Sequence, residues 1–221
     1  HIATAFATIV FFFPDIVSLL LQWIKGFTNK EARKSAGWST GWAVLSGTAI
    51  TAVIGISVKD FAEAAMLNSL MVGCGLVFTG FLLLFSSFVK IGLGRVRLID
   101  GFVVGIAQGF AVMPGISRSG MTIVAGLMSG LSREEAFRFS FLLSIPAILG
   151  AAIVQSAELG GWHQFIAALP HQWYLGAIVA FISGFAALVV LRKIVLSSKW
   201  WIFGVYCLIL GISVITATYM G

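Results

Sequence analysis

Pro114-Gly115-Ile116-Ser117-Arg118-Ser119-Gly120 sets one full positive charge, two hydroxyls, two glycines and a proline between two almost wholly apolar stretches, residues 99–113 and 121–131. A central arginine disfavours membrane insertion by about 2.5 to 3.5 kcal/mol, so an arginine at membrane depth marks a functional site when something anionic meets it. Proline and glycine break a helix here. The half-helix that starts near Ser117 then turns its free N–H groups and its positive end into the break. The chemistry of the stretch asks for an anion.

The flanks decide the fold class. Of 221 residues 59% are hydrophobic and only 10% charged, which is too apolar for a soluble domain and describes an all-α, polytopic membrane protein forming one membrane domain over residues 1–221. The formal charge of +6 does not point to nucleic acid, because the 14 Lys and Arg lie mostly in short loops between apolar runs, as cytoplasmic loops do. Cys74 and Cys207 sit far apart inside apolar runs with no CxxC, so they read as small hydrophobes. The start at His1 has neither a charged leader nor a cleavage site, and a preceding segment is expected.

Runs of about 20 apolar residues span a bilayer, and six are expected: residues 1–24, interrupted by Pro14 and Asp15, then 38–57, 64–88, 136–156, 173–191 and 200–219. Asp15 reads as a solvated or capping carboxylate. Lys25, Lys30, Arg33 and Lys34, then Lys90, Arg95 and Arg97, then Arg192, Lys193 and Lys199 mark the cytoplasmic loops, whereas Lys59, Asp60 and Glu63 form a loop without basic excess. Neither half of residues 98–131 is long enough to span alone, which predicts a re-entrant hairpin enclosed by protein or by a water-filled cavity. Gly101, Gly105 and Gly109 recur every fourth residue and present a smooth face for close helix packing. Ser132-Arg133-Glu134-Glu135 reads as a capping box that opens the next helix. Trp38, Trp173, Trp200 and Trp201 fall near crossing ends, as interfacial anchors do. The alternation of basic and non-basic loops reverses after the hairpin. This predicts an inverted-topology repeat, with residues 1–97 the remainder of a first half and 98–221 the second, and with the first half's own hairpin expected before His1.

The motif Pro114-Gly115-Ile116-Ser117-Arg118-Ser119-Gly120-Met121-Thr122, together with Gln108-Gly109, Gly130-Leu131-Ser132-Arg133 and Phe139-Ser140-Phe141-Leu142-Leu143-Ser144-Ile145-Pro146, resembles the undecaprenyl-diphosphate phosphatase family of bacitracin-resistance membrane proteins, over essentially the whole chain. The resemblance implies hydrolysis of undecaprenyl diphosphate to the monophosphate carrier used in peptidoglycan assembly, in the bacterial inner membrane, with a divalent cation, Mg or Ca. The family's earlier glutamate-rich motif does not occur from His1 onward, so its glutamates, and with them the cation's ligands, are expected upstream. The expected partners are the lipid substrate, membrane lipid and a second copy of the chain as a homodimer; nucleic acid is not among them.

The residues themselves assign roles compatible with this. Arg118 is the phosphate clamp, since a guanidinium meets phosphate oxygens in a bidentate way that lysine cannot. Ser117 or Ser119 is either the nucleophile or a donor to the phosphoryl oxygens, and the donor role is the safer one because no base lies near in sequence. Gly115 and Gly120 allow close backbone approach. Gln108 faces either the cavity or a helix neighbour, Thr122 completes the substrate-binding set, and Ser140 and Ser144 share a face read as helix packing. GxxxxGK[ST] is absent, no cysteine is followed six residues on by arginine, and His163 and His171 lie in a loop beyond a complete crossing. The competing class is a lipid-phosphate carrier that flips without hydrolysis, because broken helices and inverted repeats also build transporters.

Overall fold

The computed structural model describes residues 2–158, 160, 161, 164, 172–197 and 199–220. His163 and His171 lie outside the described residues. Among the described residues ten α-helices follow in order: α1 (Ile2–Phe11), α2 (Phe13–Thr28), α3 (Ala36–Ser57), α4 (Lys59–Met66), α5 (Ser69–Phe85), α6 (Leu98–Phe110), α7 (Arg118–Met128), α8 (Arg133–Glu158), α9 (Trp173–Leu196) and α10 (Trp201–Met220). Five of them are long and apolar enough to cross a membrane, and the α1–α2 pair makes a sixth if it is counted as one broken span. The chain is an all-α polytopic membrane protein. Its outer helices are apolar on the outside: Ile178, Val179 and Ile182 of α9 are 54%, 66% and 61% exposed, a surface that acyl chains cover and water would not.

Two of the expected crossings are built differently. The first is two helices bent by 76° beside Pro14, and α2 runs on to Thr28. Asp15 is not simply solvated. Its carboxylate accepts from Arg138 Nη1 of α8 at 3.2 Å, while Arg138 Nη2 reaches Glu135 at 3.2 Å, so an ion triad ties the bend to the central helix. The crossing expected over 64–88 begins later, because Asn68 caps α5 through the N–H groups of Leu70 and Met71. The segment before it, expected as a loop, is α4, and Lys59 at its start bonds Glu158 at the far end of α8. That bond holds the Lys59 ammonium above its ordinary pKa, so the α4–α8 clasp is complete at neutral pH and fails as pH climbs through the raised value.

Residues 98–131 form the hairpin. With 13 and 11 residues, α6 and α7 rise only about 20 and 17 Å, short of a ~30 Å hydrocarbon core. Their outer ends meet on one side: Arg97 Nη2 donates to Ser129 O at 2.9 Å, and Gly94 N to Gly130 O at 3.3 Å. The two ends of the hairpin therefore lie side by side. Asp100, fully buried, accepts from both the backbone N–H and the guanidinium of Arg97 and fixes the start of α6. Ser132 caps α8 through Glu135 N at 3.2 Å, as the sequence reading expects. The Glu135 side chain turns instead to Arg138.

Glycine seams set the helices close together. A Cβ on Gly105 would fall 2.7 Å from Gly47 Cα, one on Gly101 2.3 Å from Ala43 O, and one on Gly109 2.7 Å from Ile54 Cβ, so the Gly101/Gly105/Gly109 face lies directly on α3. A second seam joins α5 and α10, where Gly80 meets Gly204 O and Gly211 meets Gly73 O. Without a hydrophobic drive between helices in lipid, such close backbone approach supplies the dispersion contact that holds a bundle together. Around the hairpin, Phe137, Phe139 and Leu143 of α8 pack with Val104, Ile123, Val124 and Leu127, all nearly or fully buried. Gly105→Val is expected to lower stability in detergent by about 1 to 3 kcal/mol through overpacking, read as a drop in melting temperature. An unchanged melt would mean that α3 and α6 are not in register at this seam.

Candidate functional site

The hairpin tip is a bend over residues 111–117, and a second helix face holds it. Gly115 has φ +80, open to glycine, and its Cα lies so close to α5 that an added Cβ would stand 2.2 Å from Val72 O. A Cβ on Gly75 would likewise meet Pro114 O at 2.2 Å. One turn on, Thr79 Oγ1 donates to Gly115 O at 3.1 Å and accepts from Ser117 N at 3.0 Å. Ser117 is the N-cap of α7, its Oγ accepting from Gly120 N at 3.1 Å. Among the described residues the next two N–H groups, of Arg118 and Ser119, have no partner and lie at the positive end of the helix.

Beside them is a cavity of about 250 Å³ lined by Thr4 and Thr8 of α1, Arg118, Ser119 and Thr122 of α7, and Ser140, Phe141, Ser144 and Ile148 of α8. Six of these nine side chains carry a hydroxyl and one a guanidinium, in a protein that is mostly hydrocarbon. Thr122 Oγ1 donates to Arg118 O at 2.8 Å and sits 2.5 Å from Ser140 Oγ, joining α8 to the first turn of α7. Ser144 and Thr8 turn their protons back onto their own helices, at Phe141 O (2.7 Å) and Thr4 O (3.0 Å). Ser119 Oγ and the Arg118 guanidinium make no hydrogen bond or ion pair among the described residues.

The structure thus brings Arg118, Ser119 and Thr122 together on one wall and separates the other residues singled out in the sequence. Ser117 and Gly120 build the turn behind that wall and do not line the cavity. Gly115 seats the tip on α5. Gln108 is 1% exposed and lies among helices, donating to Thr51 Oγ1 at 3.3 Å and to Leu143 O at 3.4 Å, one residue from the carbonyl that Pro146 leaves without its N–H. Its amide oxygen has no partner among the described residues. Ser140 and Ser144, read as packing, line the cavity, and Thr4, Thr8 and Thr79 carried no sequence signal beyond small polar residues within apolar runs. A divalent cation does not fit the residues present: the wall offers hydroxyls and a guanidinium with no carboxylate, and no group of three His, Cys, Asp or Glu converges among the described residues.

Among the described residues this broken-helix membrane protein thus gathers an arginine without a carboxylate, a hydroxyl without a partner and two helix N–H groups without partners beside one cavity. Residues 1–213 match the family model "Bacitracin resistance protein BacA", and the chain belongs to that family. Among curated relatives, the protein named undecaprenyl-diphosphatase in Desulforapulum autotrophicum is 38% identical over 234 residues, covering 100% of this chain and 83% of that one. The protein of the same name in Corynebacterium efficiens is 33% identical over 224 residues, covering 100% and 76%. The one in Methanothermobacter thermautotrophicus is 39% identical over 180 residues, covering 79% of this chain and 98% of its own length.

Gly115→Ala is expected to destabilise the tip, since the new Cβ meets Val72 O and Leu76 N and the backbone carries a positive φ. Limited proteolysis in detergent checks it: the variant should be cut in the bend where the wild type resists. Equal resistance would mean that the tip does not depend on this seat.

Proposed function

We propose that this chain is an undecaprenyl-diphosphate phosphatase of the bacterial inner membrane, hydrolysing the terminal phosphate and regenerating the monophosphate carrier for peptidoglycan synthesis. The family match and the names of its relatives support the reaction class. The observation that carries the assignment to this cavity is that, among the described residues, the Arg118 guanidinium, the Ser119 hydroxyl beside it and two N–H groups of the first turn have no partner. The division at residue 97 into two inverted halves belongs to the same reading, with a broken element from each half, α1 and the α6–α7 hairpin, reaching the cavity.

Phosphoryl transfer gives the protein little covalent work. The transition state spreads charge over three equatorial oxygens, and catalysis comes from positioning and electrostatic stabilisation. Arg118 takes two nonbridging oxygens in a bidentate grip, and the N–H groups of Arg118 and Ser119 take the charge that builds as the bridging P–O bond breaks. Among the described residues Ser119 Oγ has no carboxylate within hydrogen-bond reach to act as a base, which favours a donor to the phosphoryl oxygens over an attacking group. Water is then the nucleophile: its oxygen bonds to the terminal phosphorus, the bridging P–O bond breaks, the monophosphate lipid leaves, and both protons of the water depart on inorganic phosphate as dihydrogen phosphate. The expected divalent cation, if bound, would neutralise phosphate charge, and none of these steps depends on it.

Phosphate release from undecaprenyl diphosphate by the detergent-solubilised protein tests the reading. Arg118→Ala is expected to lower turnover by about 100- to 1000-fold with an unchanged melting temperature, because it removes a charge from a cavity and not a packed contact. Ser119→Ala should lower turnover with little change in melting temperature, whereas Ser117→Ala removes the N-cap on Gly120 N and should lower the melting temperature. Lipid movement in proteoliposomes without phosphate release would make the protein a carrier, and unfolding of Arg118→Ala would make the arginine structural.

A further inference from the structure

Serine and threonine inside membrane helices ordinarily donate back to the carbonyl three or four residues earlier, where no other partner is on offer. Here Thr48, Ser57, Ser183, Ser213, Thr216 and Thr218 all do so. Thr79 does not. It is 1% exposed, its hydroxyl turns away from its own helix, and it both gives and takes a hydrogen bond across to the hairpin tip.

The two groups it grips are Gly115 O and Ser117 N, on either side of Ile116 and immediately before Arg118. Ser117 is the N-cap, so its backbone orientation fixes where the next two N–H groups point and where the Arg118 side chain leaves the helix. Around this clasp α5 has no side chain at Gly75, where one would collide with Pro114 O, and Leu83 lies against Gly120. Two turns of α5 are thus shaped to the tip, and Thr79 supplies their polar contact.

We infer that Thr79 is a positioning residue for the phosphoryl-transfer site, acting through the Gly115–Ser117 backbone to hold Arg118 and the open end of α7 toward the cavity. The inference rests on the phosphatase reading. It is not a substrate contact, since Thr79 does not line the cavity. Displacing catalytic groups by about 1 Å costs on the order of 100-fold in rate, and binding of the lipid tail does not depend on this contact. The signature is therefore a loss in kcat with KM for undecaprenyl diphosphate little changed.

Phosphate-release kinetics on Thr79 variants of the full chain test this. Thr79→Val keeps the shape and removes both hydrogen bonds; it should lower kcat by roughly 10- to 100-fold with KM unchanged. Thr79→Ser keeps the donor and acceptor and should restore kcat to near the wild-type value. Wild-type kcat in Thr79→Val, or an equal loss in Thr79→Val and Thr79→Ser, overturns the inference. So does a change confined to KM. If Thr79→Val fails to fold, Thr79→Ala against Thr79→Ser decides in the same way: kcat lost in the first and kept in the second supports the role, and equal kcat overturns it. Wild type and Arg118→Ala measured alongside separate the two ideas, because no phosphate release from the wild type removes the phosphatase reading, and full turnover in Arg118→Ala removes the assignment to this cavity, whatever Thr79 does.

Discussion

A backbone that leaves its helix inside a bilayer has no water to turn to, and each N–H or C=O left without a partner there costs several kcal/mol. The bend between α6 and α7 meets this constraint with groups from outside the hairpin. Thr79 of α5 takes Gly115 O and Ser117 N, while Ser117 Oγ takes Gly120 N. Further down, Thr51 of α3 donates to Gly105 O. Among the described residues the N–H groups of Arg118 and Ser119 have no partner, and both residues line the cavity. The same rule that forbids irregular backbone in lipid thus selects which groups are available for chemistry.

The helices around the hairpin can do this only because they come very close. Two seams of small residues, α3 against α6 and α5 against α10, bring backbones within reach of each other and give the hairpin walls that do not move independently. One face of α5 packs on α10 through Gly73 and Gly80, and another receives the tip through Gly75 and Thr79. Precision at the site is therefore inherited from packing well away from it. The outer surface of α9 takes no part in that packing and is left to lipid.

What the sequence disclosed follows from the same physics. The break at Pro114–Gly120, the shortness of its two halves and the glycine face of α6 are strong local signals, and the structure has all three. The bend of α1–α2 was hidden, since an apolar run with one proline fits a single crossing as well as two short helices, and only contact with Arg138 settles where Asp15 goes. Thr79 and Thr51 were illegible for a different reason. Most hydroxyls in membrane helices bond their own turn, and nothing in one chain's sequence marks these two as reaching across. Ser140 and Ser144 were read by periodicity as packing because a cavity wall and a helix contact share the same spacing. Gln108 shows the converse: a polar residue in an apolar helix suggested a ligand, and its donors serve Thr51 and a carbonyl beside a proline.

The choice between the two serines turns on where each hydroxyl is already committed. Ser117 and Ser119 flank Arg118 symmetrically in the motif, yet a helix start treats them unequally: the N-cap side chain folds over the first turn and satisfies an orphan N–H, while the residue two positions later projects from the turn itself. In this protein the cap is Ser117, bound to Gly120 N, and the projecting residue is Ser119, on the cavity wall and without a partner among the described residues. Charge follows the same logic. Arg97, Arg138 and Arg192 each hold a carboxylate, at 3.0, 3.2 and 2.7 Å, whereas among the described residues Arg118 holds none. An arginine carried to membrane depth and left unpaired there is stable only if a ligand or water solvates it, so the cavity beside it is part of the reason the residue can be there at all.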